Sequence, residues 1–125
     1  MKNAQGAGNG ARLVDAIIFG IQEVKGKDIV RIDLREMPNA VCDHFVICHG
    51  DSDTQVNAIA GSVEKFARER AGEKPWHTEG ENNAEWILLD YVDVVVHIFH
   101  RGKRAFYGLE DLWADAVSQR YENVA

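Results

Sequence analysis

Glu79-Gly80-Glu81-Asn82-Asn83-Ala84-Glu85-Trp86-Ile87-Leu88-Leu89-Asp90-Tyr91-Val92-Asp93-Val94-Val95-Val96-His97-Ile98-Phe99-His100 joins an acidic polar run to the most apolar run in the chain. Residues 85–90 and 94–99 read as two strands joined by the turn Tyr91-Val92-Asp93. β-Branched and aromatic residues dominate, and each apolar run is too short for a helix. Val94-Val95-Val96 is apolar on both parities, so its strand is expected to be covered on both faces. Both strands therefore belong inside a sheet.

Just upstream, Pro75-Trp76-His77-Thr78 supplies a short strand. Farther back, Asp51-Ser52-Asp53 offers three capping residues, and Val56, Ile59, Ala60, Val63, Phe66 and Ala67 recur at helical spacing, which predicts a helix ending at Ala71-Gly72. Residues 42–49 form a strand closing at Gly50, and Pro38-Asn39 mark a loop. Residues 28–34 alternate as a strand whose Val30, Ile32, Leu34 parity is the more apolar. Leu13, Ile17, Gly20, Ile21 and Val24 predict an amphipathic helix over residues 11–24, with Gly26 placed to end it. Downstream, Arg101-Gly102-Lys103 is a basic turn, and Phe106, Leu109, Leu112, Trp113 and Ala116 mark one face of a helix over residues 104–117. Residues 1–10 are small, polar and Gly-rich and are expected to be a disordered leader, and residues 118–125 a frayed tail. The element order predicts a single α/β (α+β) domain over residues 11–117, with a mixed four- or five-stranded sheet and flanking helices.

The 125 residues, 46% hydrophobic, suffice for one core and not for two. A formal net charge of -6 argues against a surface built to neutralise phosphates and suits a basic protein partner. Cys42 and Cys48 lie close together on an apolar segment and are expected to be buried thiols of a reducing compartment. The leader lacks the apolar core of a secretory signal and the Arg-rich amphipathic pattern of a transit peptide. Apolar runs fall short of the roughly 20 residues that span a bilayer, so a soluble, cytoplasmic protein without membrane contact is expected.

Signals for catalysis are weak. His44, His49, His97 and His100 with Cys42 and Cys48 are zinc-type ligands, yet no Cys-x-x-Cys or His-x-x-x-His spacing occurs, and on a strand His44 and His49 face opposite ways. Gly50-Asp51-Ser52 sits where a phosphate-cradling loop would, but its flanking aspartates repel phosphate and suit an ordinary helix cap. A Mg²⁺-dependent nucleotidyltransferase-like enzyme would draw on Asp43, Asp90 or Asp93, and Asp90 and Asp93 bracket a turn where paired carboxylates on one strand are needed. No cofactor is expected. Two readings of Trp86 stand: a binding hot spot rimmed by Glu79, Glu81 and Glu85, or a core aromatic. His97 reads as a hydrogen-bonded core histidine.

In order, Asp43-His44-Phe45-Val46-Ile47-Cys48-His49-Gly50-Asp51-Ser52, Glu79-Gly80, Trp86-Ile87-Leu88-Leu89-Asp90, Asp93-Val94-Val95-Val96-His97-Ile98-Phe99 and Arg104-x-x-Tyr107-x-Leu109-Glu110-x-Leu112-Trp113-x-Asp115-Ala116 resemble the ribosomal silencing factor (Iojap) family. The resemblance runs from about Leu13 to Val117 and includes Lys25-Gly26-Lys27 leading into Asp28-Ile29-Val30. It implies a binding protein and not an enzyme, with a fold similar to nucleotidyltransferases lacking the catalytic carboxylates. It further implies docking on the large ribosomal subunit through that subunit's ribosomal protein fourteen, blocking small-subunit joining and lowering translation when nutrients are short. Mitochondrial relatives act in large-subunit assembly. Carried over by position, the docking surface comprises Trp86, Leu88 and Asp90, approached by Glu79-Gly80 and joined by His97. The sequence departs from the family at Val92, where many relatives carry Gly. Residues 101–104 offer at most a peripheral contact to ribosomal RNA, and a homodimer through the same sheet surface is the alternative use of that face.

Overall fold

Strand β5 (Val94–His100) is the centre of the computed structural model, which describes residues 4–124 and side chains from Gly10 onward. Its residues 94–99 are all buried, as two-sided apolarity requires. In chain order the elements are α1 (Ala4–Glu23), β1 (Lys27–Asp33), β2 (His44–Gly50), α2 (Asp53–Ala71), β3 (His77–Glu79), β4 (Trp86–Asp90), β5, α3 (Arg104–Tyr107), α4 (Leu109–Leu112) and β6 (Val117–Arg120). The sheet order is β3-β4-β5-β2-β1-β6. β2 and β5 run parallel, with His44 opposite Val94 and Gly50 opposite His100, and the other neighbours are antiparallel. The expected mixed α+β sheet is present, with β4 and β5 both internal.

The sheet has six strands where four or five were expected. The extra one is β6, in the segment read as a frayed tail. All four of its residues are exposed, so it carries no apolar alternation, and backbone pairing with β1 makes it a strand. The pairing continues where Tyr121 N–H donates to the Ile29 carbonyl at 3.0 Å. At the other end α1 reaches back to Ala4, into the expected leader, while residues 1–3 of that leader lie outside the described ones. The single helix expected over residues 104–117 is instead two short turns, because Gly108, at φ +61°, ends α3 and precedes α4. Leu109, Trp113 and Ala116 still pack on the sheet, but Phe106 and Leu112 point to solvent.

The two faces are covered unequally. α1 and α2 pack on one through Ile17, Ile21, Ile59 and Val63 against Val46, Ile87, Val96 and Ile98. The helices approach closely at Gly20, where a Cβ would lie 2.9 Å from the Ser62 carbonyl oxygen; the Ser62 hydroxyl donates to the Gly20 carbonyl at 2.7 Å. Helix α2 starts as expected, with Ser52 Oγ accepting the Gln55 N–H, and ends at Gly72 in the left-handed conformation. The end of α1 departs from expectation. Lys25 adopts the positive φ, while Gly26 is needed for space, since a Cβ there would collide with the Ile21 side chain. The opposite face is covered by the loop around Met37 and Ala40 and by Tyr107, Leu109, Trp113 and Ala116. Among the described residues no helix is long and apolar enough to cross a membrane.

Ile17 is fully buried between α1 and the sheet. Ile17→Ala is expected to lower the urea-derived unfolding free energy by about 2–5 kcal/mol, whereas Val117→Thr on the exposed edge changes it by less than about 0.5 kcal/mol.

Candidate docking surface

Alternation along β4 decides which side chains look away from the helices. Ile87 and Leu89 are buried beneath them, while Trp86, Leu88 and Asp90 share the thinly covered face and remain half-buried. Strand pairing sets Glu79 and His77 beside Leu88 and Asp90 on one side, and Phe99, His97 and Val95 beside Trp86, Leu88 and Asp90 on the other. Glu79, Trp86, Leu88, Asp90 and His97 therefore lie on one face, at different depths.

His97 is beneath the surface, only 4% exposed. Trp86 Nε1–H donates to its Nδ1 at 3.1 Å, which places the ring proton of a neutral His97 on Nε2. Burial pushes the His97 pKa down to about 4, so the imidazole is neutral at pH 7. Its ring meets Phe45 nearly edge to face at 4.5 Å. Trp86 packs against Phe99 at 5.0 Å and Tyr107 at 4.6 Å. Tyr107 O–H donates to Glu85 Oε1 at 3.0 Å. Trp86 thus closes a small aromatic core and leaves part of its surface to solvent. His97 positions that indole from below.

Asp90 shapes the β4–β5 turn. Its Oδ1 accepts the Val92 N–H at 2.7 Å, while Asp93 N–H donates to the Tyr91 carbonyl at 2.9 Å, closing a three-residue turn around Val92. Val92 stands at φ +75°, a conformation costly for a β-branched residue. Gly80, at φ +84°, has the opposite logic: a Cβ there would collide with the Trp86 carbonyl oxygen, so only glycine lets β3 leave this close to β4. Glu79 is exposed and pairs with His77 Nε2 at 2.8 Å.

Beside Asp90 lies a shallow depression of about 330 Å³, walled by Val41, Cys42, Trp76, Asp90, Val92 and Val95. Val41, Trp76 and Val92 are 91%, 77% and 58% exposed, an apolar group that sequence reasoning did not assign to the surface. The signal available for Trp76 was its setting among Lys74, Pro75 and His77, with no apolar partner at either period. Trp76 N–H donates to the Asp90 carbonyl at 2.7 Å, which fixes its backbone to β4.

The residues considered for metal or nucleophilic chemistry do not converge. His49 contacts Arg104, His100 lies 3.7 Å from Asp53 at the start of α2, and His97 belongs to the aromatic cluster. Among the described residues no group of three or more His, Cys, Asp or Glu side chains could hold a metal ion, which includes Asp43, Asp90 and Asp93. Cys42 and Cys48 are buried free thiols, as expected, and burial pushes them up to about 11 and about 12, so both stay protonated.

Because folded His97 resists protonation until about pH 4 and an unfolded histidine takes a proton near pH 6.5, the unfolded state binds more protons between these values. Stability therefore falls as pH drops through that window, by up to about 2 kcal/mol at pH 5 from this residue. His44 and His49, also lowered by burial, add with the same sign. Urea titrations at pH 7 and 5 are expected to show a flatter dependence in His97→Leu. Val92→Gly is expected to stabilise by roughly 1 kcal/mol by removing the positive-φ strain, and Val92→Ala to leave most of it in place.

Residues 9–125 match the family described as ribosomal silencing factor during starvation. The chain is 38% identical over 112 residues to a ribosomal silencing factor of Halalkalibacterium halodurans, covering 90% of this chain and 94% of that one. It is 45% identical over 92 residues to the ribosomal silencing factor of Bacillus subtilis, covering 74% and 76% of the two chains. A crystal structure of a Chromobacterium violaceum protein superposes with a TM-score of 0.77 at 30% identity, covering 92% of each chain. A family match over residues 9–125, with relatives 38% and 45% identical, places the chain in the ribosomal silencing factor family.

Proposed function

We propose that the thinly covered face, at the β3–β4–β5 end of the sheet, docks on the large ribosomal subunit through that subunit's ribosomal protein fourteen and blocks small-subunit joining in the cytoplasm. The observation that carries the reading is one shared face: the apolar depression of Trp76, Val41 and Val92 is walled by Asp90, which lies on the same side of β4 as Leu88 and Trp86. Its rim is acidic, with Glu79 exposed, Glu85 half-buried and Asp90 at the depression's edge. An aromatic and aliphatic centre with a charged rim is the anatomy of a protein interface, and the sign of the rim suits a basic ribosomal surface. Docking needs no catalytic group, in keeping with a binding protein.

Within this surface the roles differ. Leu88, Trp76 and Val92 supply desolvated contact, Glu79 and Asp90 supply charge and register, and His97 holds Trp86 in place. On sucrose gradients the full chain is expected to travel with free large subunits and to reduce the yield of joined ribosomes. Leu88→Lys combined with Glu79→Lys reverses the chemistry on exposed or half-buried positions and is expected to weaken co-sedimentation by about tenfold or more. Phe106→Ala, on α3, serves as a solvent-exposed control and leaves binding unchanged. Failure of the unaltered protein to co-sediment sinks the reading; normal binding by the double variant moves the interface elsewhere.

A further inference from the structure

A second concavity, of about 400 Å³, opens where the two parallel strands end. β2 contributes His49, and the chain leaving β5 contributes Arg101 and Gly102; the Arg101 N–H donates to the Gly50 carbonyl at 2.9 Å, tying the two strand ends together. Arg104 enters from α3, Glu110 and Asp111 from α4, and Arg120 from β6. Three guanidinium groups thus converge on one hollow in a chain of net charge -6. The carboxyl ends of parallel strands are where α/β sheets place ligands, and a hollow of this size falls within the roughly 300–1,000 Å³ of small-molecule sites.

The three arginines are held differently. Arg104 is largely buried, with Nε donating to Glu110 Oε1 at 2.7 Å and Nη1 to His49 Nδ1 at 3.1 Å. Its Nη2 is buried with no hydrogen-bond partner among the described residues, so the guanidinium keeps an uncompensated N–H beneath the hollow. The bond to Nδ1 leaves the proton of a neutral His49 on Nε2, where it is a donor. Arg120 and Arg101 are mostly exposed and loosely paired, at 3.6 Å from Glu110 and 4.0 Å from Asp51. Both are free to turn inward. A Cβ added to Gly102 would meet nothing within 4 Å, so the mouth beside it is open.

We propose that this hollow binds the phosphate of a small phosphate monoester of nucleotide size. Arg101 and Arg120 close on the phosphate oxygens as forked donors, Arg104 is the fixed positive floor, and His49 offers an N–H. Glu110, already shared by Arg104 and Arg120, holds the donors apart until the anion arrives, and Asp111 sets an acidic margin that disfavours a longer polyanion. An extended RNA backbone fits less well, because tracking successive phosphates needs a row of cations and the chain is acidic overall. Gly50-Asp51-Ser52 is not the phosphate contact. Its Asp51 N–H is taken by Gln55 Oε1 at 2.7 Å, and Ser52 Oγ accepts the Gln55 N–H.

The proposal is independent of ribosome docking, since none of these residues belongs to the Trp76–Leu88 surface. The test is titration of the full chain with AMP, inorganic phosphate, adenosine and single-stranded oligouridylate, followed by calorimetry and by the backbone amide resonances of residues 101–108. AMP and phosphate are expected to bind saturably and to compete, with adenosine inert. Arg101→Gln/Arg120→Gln is expected to weaken AMP binding by roughly tenfold, as loss of charge-assisted hydrogen bonds implies, without shifting the thermal midpoint. Arg101→Gln alone, at an exposed position, gives a smaller loss and guards against misfolding of the double variant. Adenosine binding as well as AMP, undiminished affinity in both variants, or binding of oligouridylate alone would each overturn the assignment.

Discussion

Strand β5 has no face that tolerates water, so the chain must cover it twice, and it does so unequally. Two long helices seal one side through Ile17, Ile21, Ile59 and Val63. The other side receives a loop and two four-residue turns. Long helices bury a whole stripe of side chains, while short turns bury only the two or three residues they can bring down, here Leu109, Trp113 and Ala116. The part of the face beyond their reach, over β3 and most of β4, is left half-exposed. The proposed docking surface is available because the second cover touches β4 at Trp86, through Tyr107, and leaves Leu88 and Asp90 half-exposed.

Within that arrangement the aromatic cluster takes the part a helix plays on the other side. Trp86, Phe99 and Phe45 surround His97, Tyr107 packs on Trp86 and Phe99, and the imidazole accepts the hydrogen bond of the half-buried indole. A neutral histidine suits this place: it supplies an acceptor without introducing a charge that would have to be solvated. The outward-facing residues of β4 therefore rest on a rigid base even though no helix covers them.

The sequence made the buried elements legible and the exposed ones obscure. β5 announced itself by apolarity on both parities, and α2 by a capping serine followed by a regular apolar stripe. β6 could not be seen, because Val117, Ser118, Gln119 and Arg120 bury nothing and are ordered by the backbone of β1. The break at Gly108 was masked by apolar residues that still fell at helical intervals. For the docking face, parity along β4 placed Trp86, Leu88 and Asp90 together, and the family resemblance singled them out. For His97 two readings competed: the apolar run around it marks it as a core histidine, which its burial bears out, while the family resemblance set it on the docking face. Trp76 and Val41 were missed because exposed apolar residues in loops follow no period.

β6 also bears on how the molecule opens. A strand with every side chain exposed is held by its ladder hydrogen bonds and, here, the loose Arg120–Glu110 pair, and such segments exchange their amide protons through local openings far cheaper than global unfolding. When β6 lifts away, the unpaired edge of β1 becomes a template for another strand, and Arg120 leaves the hollow beside His49 at the same moment. One low-energy fluctuation thus couples edge protection to the state of the arginine cluster. An anion bridging Arg120 to Arg101 would tie the last strand to the chain leaving β5 and hold that edge closed.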